Sequence, residues 1–217
     1  MKKKIGILGS TGSIGKNLIK LLLNKKTNSK VIILSCNENY KLLLKQCKLL
    51  DVKNAIIFNK KIYEKKKKIF YDNKINLYND YVPNSLKFDY VMSAISGVYG
   101  INPTLNIIQD TKNISIANKE SIICAWPLIK KKLTINKTNF VPTDSEHFSI
   151  WYSLKKNSHK NINHIFLTAS GGPFLHKKIS ELKNVKVSEA INHPNWKMGK
   201  KISVDSATMM NKVFEII

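Results

Sequence analysis

A short stretch near the end of the chain, residues 193–215, brings side chains of several chemical kinds close together. They are an imidazole, a hydroxyl, an amide, an ammonium and a carboxylate: His193, Ser206, Asn211, Lys212 and Glu215. Asn211 and Glu215 are four residues apart, and Lys212 and Glu215 are three apart, so a helix would place all three on one side. The spacing therefore predicts a cluster of polar groups on one face of a helix.

We expect the side-chain oxygen of Asp205 or Ser206 to cap this helix by accepting from its first free amides. A helix start with free N–H groups and a lysine nearby favours an anion such as a phosphate group. The alternative interpretation is a solvated polar face with no ligand.

A pair of acidic residues follows a short apolar segment at 140–141. Asp144 and Glu146 are two residues apart, so on an extended backbone they would point the same way. Two convergent carboxylates favour a hard divalent cation, Mg²⁺ or Mn²⁺. The alternative is that Asp144 or Ser145 is the N-cap of a helix that begins before Phe148.

The first residues of the chain have the pattern of a dinucleotide-binding turn. A buried strand over 4–9 leads into Gly-Ser-Thr-Gly-Ser-Ile-Gly at 9–15, and leucines at helical spacing follow. Glycines allow a pyrophosphate to approach the backbone at the start of the following helix. Three hydroxyls are expected to add donors: Ser10, Thr11 and Ser13.

The residues after the second strand, 31–35, are those that usually read the adenosine ribose. Here they are Asn37, Glu38 and Asn39. An acidic side chain suits a free ribose diol and therefore favours NADH. Otherwise the selection falls to the two asparagines and Lys41.

Strands and helices alternate through the first part of the chain. Further strands are expected at 54–58, 89–95 and 113–117, and helices at 40–50 and 102–109. This alternation predicts an α/β fold with a Rossmann-like doubly wound parallel sheet. We place the dinucleotide-binding domain at 1–134 and an α+β catalytic domain at 135–217, in which a strand at 162–168 leads to an anion-binding turn at 169–174.

Composition limits the class of partner. The formal net charge is +23, yet all 37 basic residues are lysine. Nucleic-acid readers use arginine for bidentate base contacts, and an AT-rich genome favours lysine, so no nucleic-acid partner is expected. No run of about 18 apolar residues exists, so no membrane partner is expected either. The three scattered cysteines indicate reduced thiols in a cytoplasmic protein.

Five motifs occur in an order that resembles the 1-deoxy-D-xylulose 5-phosphate reductoisomerase family. They are the glycine turn at 9–15, Ala-Asn-Lys-Glu at 117–120, Asp-Ser-Glu-His at 144–147, Ala-Ser-Gly-Gly-Pro-Phe at 169–174, and the long motif at 193–212. The resemblance implies a metal-dependent rearrangement of 1-deoxy-D-xylulose 5-phosphate and its reduction by NADPH to 2-C-methyl-D-erythritol 4-phosphate. It also implies non-mevalonate isoprenoid biosynthesis in the bacterial cytoplasm, with a homodimer for the full-length protein.

The resemblance assigns roles to individual positions. The metal (Mn²⁺ or Mg²⁺) is assigned to Asp144, Glu146 and Glu215, and catalysis to Lys119, Ser145 and His193. The sugar phosphate is assigned to Lys119, Ser145, Glu146, Ser170, His193, Ser206, Asn211, Lys212 and Glu215. The cofactor is assigned to Thr11, Gly12, Ser13, Ile14, Asn37, Asn39, Asn118, Glu120 and Gly199. A flap is assigned to Trp196 and Met198.

The chain departs from the family pattern in three places. The family usually has Gly-Lys/Arg-Asn or similar where this chain has 37–39, and Gly where it has Val213. The family is also nearly twice as long, so we expect a catalytic domain that is incomplete after Ile217, with Glu215 held loosely. The alternative function is an inactive NAD(P)-binding fragment of the enzyme.

Overall fold

The computed structural model describes residues 2–24, 27–81, 84, 86–155, 162–197 and 199–217. The chain divides into two compact units, Met1–Thr143 and Asp144–Ile217, which we call unit 1 and unit 2. Residue 134 lies inside a helix of unit 1, and the division between the units falls nine residues after it.

In the described part of unit 1, seven parallel strands form one sheet. They are β1 (Lys3–Leu8), β2 (Ser29–Cys36), β3 (Asn54–Ile57), β4 (Asn76–Tyr78), β5 (Tyr90–Ser93), β6 (Asn113–Ile116) and β7 (Asn139–Phe140). Their order is β4-β3-β2-β1-β5-β6-β7, so the winding reverses beside β1. The α/β class and the doubly wound parallel sheet are confirmed.

Apolar runs in the strands explain why both faces of the sheet are covered. Successive side chains of a strand point to opposite faces. Ile7 and Leu8, for example, are both fully buried but belong to separate core clusters, and Ile56 and Ile57 divide in the same way. Helices therefore pack on both sides of the sheet.

The helices of unit 1 are α1 (Ser13–Asn24), α2 (Tyr40–Leu49), α3 (Lys60–Asp72), α4 (Ile101–Ile107) and α5 (Lys119–Asn136). Three of them begin after an asparagine whose side-chain oxygen accepts an amide of the first turn. These N-caps are Asn39, Asn59 and Asn118. The caps satisfy amides that would otherwise lack a partner.

In its described residues, unit 2 consists of helices and irregular segments. It contains α6 (Ser145–Leu154), α7 (Val187–Ala190), α8 (Lys200–Ala207) and α9 (Met210–Ile216), with 3₁₀ turns at Gly172–Phe174 and Ile179–Asn184. The strand expected at 162–168 is wrong, because none of these residues pairs with a neighbour in a sheet. An apolar run forms a strand only where a partner strand satisfies its backbone groups.

The helix expected near the end of the chain is two helices, α8 and α9. Asp205 and Ser206 lie in the last turn of α8, so the prediction that either caps the following helix is wrong. The break falls at Met209, which has a φ of 62° and precedes α9 without a side-chain cap. A left-handed residue cannot continue a right-handed helix, so α8 and α9 are separate helices.

Among the described residues, no helix is both long enough and apolar enough to cross a membrane.

Candidate active site

Three carboxylates of unit 2 converge. Asp144, Glu146 and Glu215 each offer an oxygen atom, and these atoms lie within 4.8 Å of one another. Two come from the start of α6 and the third from α9. Oxygen ligands at this spacing suit a hard divalent cation.

The expected geometry of the first two carboxylates was wrong, although their convergence was right. Asp144 is the N-cap of α6, and its Oδ1 accepts from the amide of His147 at 3.3 Å. Glu146 lies in the first turn of that helix, not on an extended strand. The helix cap and the acidic cluster were alternatives on the sequence alone, but the same residues provide both.

α9 brings the third carboxylate together with an amide and an ammonium, as the helical spacing predicted. Asn211 Nδ2 donates to Glu215 Oε1 at 2.7 Å, and Lys212 Nζ donates to Glu215 Oε2 at 2.7 Å. The Glu215 side chain is completely buried. Glu215 is therefore firmly held, and the expectation that it is loose was wrong.

Lys212 also joins the two helices, because its Nζ contacts Glu146 Oε1 as well. The second oxygen of Glu146 accepts from the Ser145 hydroxyl at 2.5 Å. The ammonium of Lys212 thus bridges two of the three carboxylates, and 14% of the Lys212 side chain is exposed.

These contacts shift two pKa values in opposite directions. Burial opposes ionisation of Glu146, but hydrogen bonds from Lys212 and Ser145 outweigh it and hold the pKa of Glu146 below its ordinary value of 4.5. Burial also disfavours the charged Lys212, but its bonds to Glu146 and Glu215 outweigh this and raise the pKa of Lys212 above 10.5. The stabilisation from this pair is therefore lost as the pH falls below about 4.5 or rises above about 10.5.

His147 is a supporting residue that no motif singled out. Its Nδ1 lies 3.0 Å from Asp144 Oδ1, and its Nε2 lies 3.1 Å from the backbone oxygen of Glu215. Both neighbours are acceptors, so the ring nitrogen that carries the proton donates to its neighbour, and the imidazole lies between α6 and α9. Its position three residues after Asp144, one helical turn on, is the signal that could have revealed it.

A cavity of about 390 Å³ adjoins the carboxylates within unit 2. It is lined by most of the side chains that the sequence assigned to a sugar phosphate: Ser145, Glu146, Ser170, His193, Ser206, Asn211 and Lys212. Trp196, assigned to a flap, also lines it and is 62% exposed. Met198, the other residue assigned to the flap, lies outside the described residues.

His193 orients the Ser170 hydroxyl as a hydrogen-bond donor at this cavity. Its Nδ1 accepts from the backbone amides of Asn195 at 3.2 Å and Trp196 at 3.1 Å. Because Nδ1 accepts, the ring proton is on Nε2, which donates to Ser170 Oγ at 3.1 Å. The hydroxyl proton of Ser170 can then be donated to a ligand.

The turn that carries Ser170 needs its two glycines. Gly171 and Gly172 have φ values of 78° and 65°. A Cβ on Gly172 would lie 2.6 Å from the backbone oxygen of Ser206, so only glycine lets this turn approach the end of α8. The approach holds Ser170 and Ser206 on the same cavity. Gly199, assigned to the cofactor, is the N-cap of α8.

In unit 1, the glycine turn lies at the carboxyl end of β1, where the sheet order reverses. Gly9 has a φ of 76°, and a Cβ there would lie 2.6 Å from the backbone oxygen of Ala94. Thr11, Gly12, Ser13 and Ile14 follow at the surface around the start of α1. The crevice at such a reversal is where open α/β sheets bind ligands.

Ser10 does not act as the exposed donor that the sequence suggested. Its side chain is fully buried, and Oγ donates toward Gln46 Oε1 at 2.7 Å. Gln46 Nε2 donates back to the Ser10 backbone oxygen at 2.9 Å. The hydroxyl therefore fastens the glycine turn to α2.

The other positions assigned to the cofactor lie at the same edge of the sheet. Asn118 is 5% exposed, and its Nδ2 donates to the backbone oxygens of Ile95, at 2.7 Å, and Gly97. Asn39 caps α2, and Glu38 Oε1 accepts from Asn59 at 2.9 Å. The rest are the exposed Asn37 and the half-buried Glu120 at the start of α5. Lys119, assigned to catalysis and the substrate, is half-buried next to Glu120.

Comparisons with known proteins point to one family. The family model for 1-deoxy-D-xylulose 5-phosphate reductoisomerase matches residues 5–126, and the model for the C-terminal domain of that enzyme matches residues 140–217. The chain is 51% identical over 99% of its length to the 1-deoxy-D-xylulose 5-phosphate reductoisomerase of Pelagibacter ubique and 45% identical to that of Wolbachia pipientis from Culex pipiens. It covers 57% and 56% of these proteins, so it spans about half the length of the curated relatives it matches.

Solved structures agree with this result. The enzyme of Zymomonas mobilis in complex with NADPH matches all of this chain with a TM-score of 0.86 at 31% identity, and 57% of that protein is covered. A reductoisomerase in complex with NADPH, fosmidomycin and magnesium matches 99% of the chain with a TM-score of 0.87, also at 31% identity, and 56% of it is covered. On the match over 5–126 alone, more than half of its length, the chain belongs to the 1-deoxy-D-xylulose 5-phosphate reductoisomerase family.

Proposed function

We propose that this chain provides the cofactor, metal and substrate sites of an enzyme that rearranges 1-deoxy-D-xylulose 5-phosphate and reduces the product with NADPH to 2-C-methyl-D-erythritol 4-phosphate. The observation that carries the proposal is the convergence of Asp144, Glu146 and Glu215 beside a cavity lined by hydroxyl, amide, imidazole and ammonium groups. A cation and a phosphorylated sugar need these two kinds of surface side by side.

The three carboxylates would hold Mg²⁺ or Mn²⁺, because hard divalent cations prefer oxygen ligands. The magnesium in related structures supports this assignment. When bound, the cation would act as a Lewis acid toward substrate oxygens. His147 holds Asp144 in orientation, as residues behind metal ligands commonly do.

The phosphate group of the substrate would bind at Ser170, Ser206, Asn211 and Lys212. His193 supports this site by keeping the Ser170 hydroxyl oriented as a donor. Charged and hydroxyl donors converging in a partly closed cavity suit a phosphate.

The reacting carbons would lie near Ser145, and the family resemblance also assigns Lys119 of unit 1 to the substrate. Ser145 lies between the two acidic residues of α6 and lines the cavity, so its hydroxyl can contact a substrate oxygen. Trp196, and Met198 by resemblance, would close over the substrate and exclude water.

Unit 1 would hold NADPH, which supplies the hydride. A Cβ on Gly9 or Gly15 would meet backbone atoms at 2.6 or 2.4 Å, so the turn is built as tightly as a pyrophosphate site requires. The assigned contacts are Thr11, Gly12, Ser13, Ile14, Asn37, Asn39, Asn118, Glu120 and Gly199. The NADPH in related structures supports the choice of cofactor.

The relatives named above are bacterial, which supports a location in the bacterial cytoplasm. A homodimer of the full-length protein follows from the family resemblance.

The test is NADPH oxidation by the 217-residue chain with 1-deoxy-D-xylulose 5-phosphate, followed by absorbance. We expect turnover that requires Mg²⁺ or Mn²⁺ and is abolished by Asp144→Asn. Glu181→Gln, which alters an exposed carboxylate of unit 2 outside the cluster, is the matched control and should keep the rate.

The alternative is a non-catalytic NAD(P)-binding chain, which the complete glycine turn and sheet of unit 1 support on their own. Tight binding of NADPH without metal-dependent binding or turnover of the substrate would select this alternative. Turnover as described above would exclude it.

A further inference from the structure

Lys212 contacts the oxygens that a divalent cation would need. Its Nζ bonds to Glu146 Oε1 and Glu215 Oε2, which belong to two of the three converging carboxylates. The side chains are poorly exposed, 14% for Lys212, 21% for Glu146 and none for Glu215. A buried carboxylate pair without a cation would be strongly unfavourable, so the ammonium compensates their charge.

The other oxygens of these two carboxylates also have protein partners. Glu146 Oε2 accepts from Ser145, and Glu215 Oε1 accepts from Asn211. A divalent cation binds carboxylate oxygens at about 2.0–2.6 Å and repels a neighbouring ammonium. Binding of a cation at this site therefore has to displace Lys212 from at least one carboxylate.

The displaced ammonium of Lys212 could bind an anion in the adjoining cavity instead. Lys212 lines the cavity that Ser170, Ser206 and His193 also line, and Glu146 is the one carboxylate among its described lining residues. An anion in this cavity would provide the partner that the ammonium loses when a cation takes its carboxylates.

We propose that Lys212 is an internal cation that occupies the carboxylate cluster until a divalent cation displaces it toward an anion in the adjoining cavity. Binding of the divalent cation and of a phosphate group is thereby coupled through one side chain. This inference rests on the proposed function for the identity of both ligands. It adds that Lys212 opposes the cation when no anion is present and favours it when an anion is bound.

The test measures Mn²⁺ affinity from the paramagnetic resonance of free Mn²⁺, with and without inorganic phosphate, on the 217-residue chain. In Lys212→Met, which keeps most of the side-chain volume, we expect Mn²⁺ to bind about tenfold more tightly than in wild type when phosphate is absent. We also expect phosphate to raise Mn²⁺ affinity about tenfold in wild type and by much less in the variant.

Two further variants make the result decisive. Lys212→Gln keeps hydrogen-bond donors without the charge, so it should behave like Lys212→Met and serves if that variant does not fold. Lys177→Met removes a lysine of the same unit that pairs with Glu189 at 2.6 Å, outside the cavity, and should leave Mn²⁺ affinity unchanged.

The outcomes separate the two proposals. If Mn²⁺ binds in an Asp144-dependent manner but loss of Lys212 weakens it, or leaves the effect of phosphate unchanged, Lys212 only supports the site and the inference is overturned. If neither wild type nor the Lys212 variants bind Mn²⁺ through Asp144, the proposed metal site fails and the inference fails with it.

Discussion

The two units of the chain are stabilised by different means. Unit 1 buries apolar side chains on both faces of its sheet, including Phe70, Phe88 and Ile114. In the described residues of unit 2, Ala207 is the one buried hydrophobic residue. The other buried side chains among these described residues are polar: His193, Ser203 and Glu215.

This difference matches the tasks proposed for the two units. Apolar burial is not directional, so it makes a stable scaffold but does not orient functional groups. Hydrogen bonds and ion pairs are directional, and those of unit 2 fix the carboxylates and His193. We therefore expect unit 1 to respond most to lost volume and unit 2 to lost polar partners.

The largest effect is expected from deleting a core side chain of unit 1. Phe70 on α3 is fully buried, so Phe70→Ala should lower the free energy of unfolding by about 3–5 kcal/mol. Its neighbour Tyr71 is 82% exposed, and Tyr71→Ala should change the free energy of unfolding by about 0.5 kcal/mol or less. Urea unfolding measures both, and equal losses would contradict the assignment of the core.

A pH-dependent effect should follow from two buried thiols of unit 1. Burial raises the pKa of Cys36 and of Cys47 from 9.0 to about 12. Since the unfolded thiols ionise first, the stability that they contribute is present below pH 9 and is lost as the pH rises toward 12. At pH 10, one unit above 9.0, the loss is about 1.4 kcal/mol per thiol.

Unfolding free energies at about pH 8 and pH 10 test this prediction, with the double variant Cys36→Ala, Cys47→Ala as the comparison. The variant should lose less stability than wild type over that interval. The pair of Glu146 and Lys212 in unit 2 should not contribute there, because Lys212 begins to matter only above about pH 10.5. An identical pH dependence in wild type and variant would contradict the role of the thiols.

The third effect concerns the polar cluster of unit 2. Glu215→Gln removes the charge that Lys212 and Asn211 bond to in a buried position, so unit 2 should lose about 2 kcal/mol. Hydrogen exchange of peptides from residues 144–217 measures the loss. Glu189→Gln breaks a pair with Lys177 in which the glutamate is 40% exposed, and it should cost much less, because water screens an exposed pair. Equal protection in the two variants would contradict the role of the buried polar cluster in stabilising unit 2.

The smallest effect concerns a helix cap in unit 1 that the sequence assigned to the cofactor. Asn39 Oδ1 accepts from the amide of Leu42, so Asn39→Ala should cost about 1 kcal/mol in urea unfolding. Asn39→Asp retains an acceptor and should stay within about 0.5 kcal/mol of wild type. If alanine costs no more than aspartate, the side chain does not stabilise α2.

The fold of unit 1 could be predicted well because its signals are local. Continuous apolar runs predicted β1, β2, β3, β5 and β6, and each lies within two residues of its expected bounds. In unit 2 the same kind of signal failed at 162–168, where the described residues find no strand partner. Local pattern is sufficient only where the tertiary structure supplies the partner that the pattern needs.

By itself, the sequence determined the chemical groups and the local geometry that helical spacing dictates, such as the bonds of Asn211 and Lys212 to Glu215. Only the tertiary structure decided that Glu215 meets Asp144 and Glu146, about 70 residues earlier in the chain, that Met209 divides one expected helix into two, and that Ser10 faces inward to Gln46. The physical reason is range: backbone spacing fixes contacts within a few residues, whereas contacts between distant segments depend on how whole helices pack.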